Sequence, residues 1–207
     1  MPLLLHEPLL PPGEWGLWRI NESEKLLRSC LLLHERERQQ LTRIRGEERR
    51  REFLAARLLL HHMSGRDRRA ELVKDTDGKP HLADSLFYVS ISHTVGYSAA
   101  IAHPRPCGVD VQRIVPKIRR LAPKFVGPHE EAQLTEADEL EQLHLIWAAK
   151  EAIYKAYGRR KLDFKRDLVV ELGRESRGWL RTEEVEMEFA LRFRRYADFV
   201  LVGAVEH

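Results

Sequence analysis

Cysteine is scarce in this 207-residue chain, and so are charge of one sign and long apolar runs. Only Cys30 and Cys107 carry thiols, too few for a disulfide scaffold and without C-x-x-C spacing, which suits a reducing compartment. No stretch approaches the roughly 20 apolar residues that a membrane-spanning helix needs. The start, Met1-Pro2-Leu3-Leu4-Leu5-His6-Glu7-Pro8, has neither the cationic region nor the apolar run of a signal peptide. These absences lead us to expect a cytoplasmic protein with no membrane partner. Lys and Arg (35) nearly balance Asp and Glu (32), so the net charge of +3 gives only a mild bias toward anionic partners. There is no G-x-x-x-x-G-K-S/T, no H-E-x-x-H and no G-x-S-x-G. Ten histidines raise the question of zinc, yet His34 and His61-His62 lack ligand spacing.

What is present is a chain with 43% hydrophobic residues, enough for one larger domain or two small subdomains. Leu3 to Leu5 and Trp15 to Ile20, separated by Pro11-Pro12-Gly13, predict two strands joined by a turn. Asn21 followed by Glu24 resembles a capping box and predicts a helix continuing through Leu41 and Ile44. Gly46 interrupts it before a second helix over Glu47 to Ser64, with Phe53, Leu54, Leu58 and Met63 on a buried side and Gly65 as its stop. Strand-like runs follow at Glu71 to Lys74, Leu86 to Ser92, Tyr97 to Ala102 and Gly108 to Val111. Helical signals return from Lys117 to Gly158, broken near Gly127 and Pro128. Strands close the chain near Leu168 to Leu172, Val185 to Arg194 and Phe199 to Val205.

Arg36, Arg38, Arg43, Arg45, Arg49, Arg50 and Arg51 crowd one segment, interleaved with Glu35, Glu37, Glu47, Glu48 and Glu52. Such mixing predicts solvated helix faces with mutual i,i+4 pairing. A basic nucleic-acid-binding module is the competing reading, and the glutamates weigh against it.

Two short echoes occur. Phe53-Leu54-Ala55-Ala56-Arg57 matches Ile146-Trp147-Ala148-Ala149-Lys150 in pattern, and each predicted helix stops eight residues later, at Gly65 or Gly158. Tyr97 to His103 echoes Leu201 to His207. Coincidence and a duplicated α+β unit with a ligand cleft between the copies are both compatible with this.

Asp110 sits in an apolar strand, where a carboxylate is costly unless paired or metal-bound; taken alone, it reads equally as a structural or edge residue. In Trp147 to Ala156, helical spacing puts Trp147, Glu151 and Lys155 on one face. An exposed Glu-Lys pair explains two of these but not the tryptophan, which favours burial. A half-buried stripe bearing an acid and a base points to a site.

Gly108-Val109-Asp110-Val111-Gln112 followed by Trp147-x-x-Lys150-Glu151-x-x-x-Lys155 resembles the paired signature of the 4'-phosphopantetheinyl transferase superfamily, in its longer, single-chain form similar to the surfactin-synthetase activator. Gly78-Lys79-Pro80 and Ser90-Ile91-Ser92-His93 match upstream, so the resemblance covers residues 47 to 158. It implies an α+β fold of two similar subdomains related by pseudo-twofold symmetry, here residues 1–103 and 104–207, the second carrying the metal site. It implies a monomer that moves the phosphopantetheine arm of coenzyme A to a serine of an apo acyl or peptidyl carrier protein, releasing 3',5'-ADP, with no nucleic acid involved. Asp110 and Glu151 are then expected to hold Mg²⁺, and Asp110, Glu151 and Lys155 to be catalytic. Lys155, Lys79, Ser92 and His93 are expected at the coenzyme, with Arg51 or Lys74 as the basic residue near its 3'-phosphate. Trp147 and Lys150 are expected to be structural.

One position departs from the pattern. Gln112 stands where the bacterial prototypes carry an acid, and an amide offers an oxygen but no charge. This implies two carboxylates rather than three and a stronger dependence on Mg²⁺, or, in the limit, a homologue that binds coenzyme A or a carrier without turnover.

Overall fold

In the computed structural model, which describes residues 2–159 and 161–207, the chain forms two compact units, Met1–Pro104 and Arg105–His207. In the N-terminal unit the predicted hairpin is present as β1 (Leu3–Pro8) and β2 (Glu14–Arg19). Three helices follow, α1 (Glu24–Ser29), α2 (Glu35–Arg43) and α3 (Glu47–Ser64), then β3 (Leu72–Lys74), β4 (Pro80–Leu82), β5 (Tyr88–Thr94) and β6 (Tyr97–His103). The strands make one antiparallel sheet in the order β1-β2-β6-β5-β4-β3. Leu54, Leu59 and Met63 of α3 are buried with Val89 and Ala100 of the sheet.

The C-terminal unit runs β7 (Cys107–Arg113), α4 (Ile118–Leu121), a 3₁₀ turn (Ala122–Lys124), α5 (Pro128–Glu131) and α6 (Glu139–Tyr157). It ends with β8 (Leu168–Glu171), β9 (Arg177–Arg181), β10 (Glu186–Arg195) and β11 (Phe199–Glu206), in the order β7-β11-β10-β9-β8. Ala152, Ile153 and Ala156 of α6 share its core with Leu191, Val200 and Val202.

The architecture is therefore α+β with two sheets, and the local expectations need four corrections. Ser23, not Asn21, caps α1, its Oγ accepting from the Leu26 N–H at 3.2 Å. The helix does not continue to Ile44. Leu31 and Leu33 are buried while Leu32 is 84% exposed, the alternation of extended chain, and a new helix starts after His34. Strand β5 begins at Tyr88, because Leu86 is 95% exposed and belongs to the preceding loop. Strands β4 and β9 were not expected; one is only three residues long and the other is bounded by arginines.

The two units share one internal plan. Each has a strand, then helices, then a four-strand meander whose last strand returns beside the first: β2 with β6, and β7 with β11. Both sequence echoes fall on equivalent elements, α3 with α6 and β6 with β11. The register agrees as well, since Gly16 pairs with Ala100 and Gly108 with Ala204. A Cβ on Gly16 would meet Leu59 and Met63, and one on Gly108 would meet the backbone of Ala152 and Ala156, which the echo places at the same helical positions. Each long helix also ends on a left-handed glycine, Gly65 (φ 59°) or Gly158 (φ 73°).

Candidate functional site

Gly108, Asp110 and Gln112 alternate onto one face of β7. Because Gly108 has no side chain, α6 approaches closely enough that any Cβ there would collide with the Ala152 carbonyl. The close approach brings the Glu151 and Lys155 turns of α6 to Asp110, which is only 2% exposed. Lys155 Nζ donates to Asp110 Oδ1 at 2.6 Å and to the Val109 carbonyl at 3.1 Å, while Gln112 Nε2 donates to Asp110 Oδ2 at 2.8 Å. Glu151 is held above the usual carboxylate range, first by burial and then by the negative charge of Asp110, with Lys155 opposing. Among the described residues no group of three or more His, Cys, Asp or Glu side chains is arranged to hold a metal ion.

Trp147 and Lys150 support this helix rather than line the site. Trp147 packs against Phe125 and Phe164, with ring centroids 5.0 and 5.4 Å away. Lys150 is fully buried and donates to the Phe125 and Phe164 carbonyls at 2.6 and 2.9 Å, with Glu130 at 2.8 Å. Glu130 in turn accepts from the N–H groups of Gly127 and Val170. This glutamate escaped the sequence reading, although Glu130 stands three residues after Gly127, the spacing at which a glutamate can accept from the N–H of a helix's N-cap residue.

The other expected residues belong to the N-terminal unit. Lys74 and His93 line one cavity of about 690 Å³, together with Arg43, Arg45 and Arg49. His93 Nδ1 lies 3.2 Å from Glu52 Oε2 there, and Glu52 is raised by burial against the opposing charge of His93. Lys79 lies over the Tyr88 ring at 5.3 Å, on a turn in which Asp75 Oδ1 accepts from the N–H groups of Asp77 and Lys79. Ser92 is buried on β5. Arg51 is not among the cavity residues; its guanidinium donates to the Glu22 and Ile20 carbonyls at 2.7 and 3.0 Å. The arginine segment therefore divides. Arg38 and Arg50 pair with Glu35 and Glu24, while Arg43, Arg45 and Arg49 gather where Gly46 breaks the helix. Their clustering about that glycine was the available signal.

The internal repeat distinguishes the two units at these positions. Trp18, Leu58 and His62 occupy the positions that correspond to Asp110, Glu151 and Lys155, so the acidic constellation has no counterpart in the N-terminal unit.

Comparison with known families finds one match within each unit. Residues 106–200 match the 4'-phosphopantetheinyl transferase superfamily, and residues 37–103 match the 4'-phosphopantetheinyl transferase N-terminal domain. Among solved structures, the holo-ACP-synthase from Plasmodium yoelii is similar at 19% identity and a TM-score of 0.41, over 49% of this chain and 92% of that one. Comparison with curated proteins finds no match. The chain belongs to the 4'-phosphopantetheinyl transferase superfamily, whose members transfer phosphopantetheine to carrier proteins.

Proposed function

We propose that this enzyme takes the 4'-phosphopantetheine arm from coenzyme A, releases 3',5'-ADP, and uses Mg²⁺ at Asp110 and Glu151. The observation that carries the reading is the Lys155-Asp110 contact beside a second carboxylate whose ionisation Asp110 opposes. Two neighbouring carboxylates, Asp110 and Glu151, are a hard-oxygen donor set, which suits a divalent cation completed by substrate phosphate and water. Bound there, Mg²⁺ would supply positive charge at the pyrophosphate.

The chain's own groups perform the remaining tasks. Lys155, fixed by Asp110 and the Val109 carbonyl, presents its ammonium to the pyrophosphate. Glu151, beside Lys155 on α6, is the carboxylate we assign to accept the proton of the carrier serine. The serine oxygen bonds to the β-phosphorus as the pyrophosphate P–O bond breaks, and 3',5'-ADP leaves. Arg43, Arg45, Arg49 and Lys74 give the nucleotide end a cationic cavity, with His93 and Lys79 as further phosphate contacts and Ser92 as a neighbouring hydroxyl. Arg51 holds the chain at Ile20 and Glu22, so Arg49 takes the place that the resemblance suggested for it.

The test is the intact mass of apo acyl, peptidyl and lysine-pathway carrier proteins after incubation with the enzyme, coenzyme A and Mg²⁺. Gain of one phosphopantetheine unit supports the reading. Coenzyme A bound in calorimetry with no mass gain on any carrier would identify a binding-only homologue, the outcome that Gln112 motivates.

A further inference from the structure

Both oxygens of Asp110 are engaged by side-chain donors of its own unit. Lys155 Nζ sits 2.6 Å from Oδ1 and 3.1 Å from the Val109 carbonyl, and Gln112 Nε2 sits 2.8 Å from Oδ2. A carboxylate can only accept, so the amide nitrogen is the Gln112 atom that faces it. The two donors differ in what they mean for a divalent cation. The neutral amide leaves Asp110 its full charge and can stay on Oδ2, whereas the ammonium offsets that charge at Oδ1. Mg²⁺ bonds oxygen at about 2.0–2.1 Å, so a cation on Oδ1 would lie within about 5 Å of the Lys155 nitrogen, where like charges repel in a partly enclosed site. Asp110 is enclosed, but the Lys155 side chain is partly exposed on a flexible four-carbon stem and can withdraw.

We infer that Lys155 is the internal counter-cation of Asp110 and competes with the divalent metal for Oδ1, so that the metal enters after coenzyme A. The contact that seats the ammonium in the free protein is the one that must open. The pyrophosphate offers the ammonium a second anion, and as Lys155 moves to it, Oδ1 is returned to the metal. Coenzyme and metal therefore favour each other through Lys155, over and above any contact between them, and the effect is reciprocal. The inference rests on the metal reading of Asp110 and Glu151 proposed above and adds to it an order of binding.

The test is Mn²⁺ binding to the full-length protein, read from the electron paramagnetic resonance of free Mn²⁺, an oxygen-preferring stand-in for Mg²⁺. Wild type and Lys155→Met are titrated with and without coenzyme A, in the absence of any carrier, with correction for the Mn²⁺ that coenzyme A holds by itself. Without coenzyme, Lys155→Met should bind Mn²⁺ about tenfold more tightly than wild type, and adding Asp110→Asn should remove that gain. Coenzyme A should tighten Mn²⁺ binding in both, by a factor about tenfold smaller in Lys155→Met than in wild type. Circular dichroism verifies the folds, and Lys155→Gln, neutral but polar, repeats the comparison independently. Mn²⁺ affinity no higher in the folded Lys155 variants than in wild type without coenzyme overturns the inference and leaves the metal reading standing. So does an equal gain from coenzyme A in wild type and variants, the mark of a lysine that repels the metal without moving. Absence of Mn²⁺ binding by every protein under both conditions overturns the metal reading, and the inference with it.

Discussion

Lys150 Nζ lies 2.8 Å from Glu130 Oε1 with both side chains enclosed, and Arg57 stands 3.1 Å from Glu37 at the equivalent place in the other unit. Each glutamate is the third residue of a short helix and caps its start, and each also accepts from the first strand after the long helix, at Val170 or Leu72. One carboxylate thus ties together a short helix, the long helix and the sheet edge. In the C-terminal unit it anchors the helix that carries Glu151 and Lys155.

Breaking that anchor from one side leaves a buried charge without its partner. Lys150→Met should lower stability by about 3–5 kcal/mol, while Lys150→Met combined with Glu130→Gln should recover much of the loss. Urea denaturation followed by the fluorescence of Trp147, which packs on Phe125 beside the lysine, reads both variants.

Gly108→Ala should be costly for a different reason. The added methyl meets the Ala152 carbonyl, so α6 must move away from β7. Overpacking of this kind costs about 1–3 kcal/mol. Displacing Glu151 and Lys155 from Asp110 by about 1 Å should lower kcat on the order of a hundredfold. Steady-state kinetics at saturating coenzyme A measures it.

The arginines separate by role. Arg49→Ala should raise the KM for coenzyme A about tenfold with little change in melting temperature, through loss of a charge-assisted contact. Arg51→Ala should do the reverse, because its guanidinium is spent on the Glu22 and Ile20 carbonyls. Paired KM and thermal-melt measurements distinguish them.

Stability should also fall in mildly acidic solution because of His144. This buried side chain bonds the Leu140 carbonyl through Nδ1 at 2.8 Å, so Nε2, 3.1 Å from the Val115 nitrogen, is the acceptor and the ring is neutral. Burial holds its pKa below 6.5, with the Leu140 bond opposing. The unfolded chain therefore binds the proton first as pH falls, and folded stability drops from pH 6.5 down to the folded pKa. Thermal melts across that window should show the drop in wild type and a shallower one in His144→Gln, whose amide oxygen can still accept from Val115.

Much of this was legible in the sequence, and the rest was hidden for physical reasons. Helix α3 shows its bounds because Gly46 and Gly65 punctuate it, and the stripe from Trp147 to Lys155 shows through its spacing of four. Both echoes mark equivalent elements because the packing of a glycine strand on a helix constrains the same positions twice. Ser23 as cap and the extended Leu31 to Leu33 were not legible. Tertiary burial of alternate leucines there overrides a local pattern that reads as helix. Nor does spacing distinguish Arg49 from Arg51, since which arginine reaches a carbonyl depends on where residues 20–22 lie.

The most direct test compares wild type, Asp110→Ala and Glu151→Ala in the carrier mass assay across a Mg²⁺ titration. All three should be folded by circular dichroism; wild type should add one phosphopantetheine to the carrier, and neither variant should do so at any Mg²⁺ concentration. Full modification of the carrier by both variants would contradict the two-carboxylate centre.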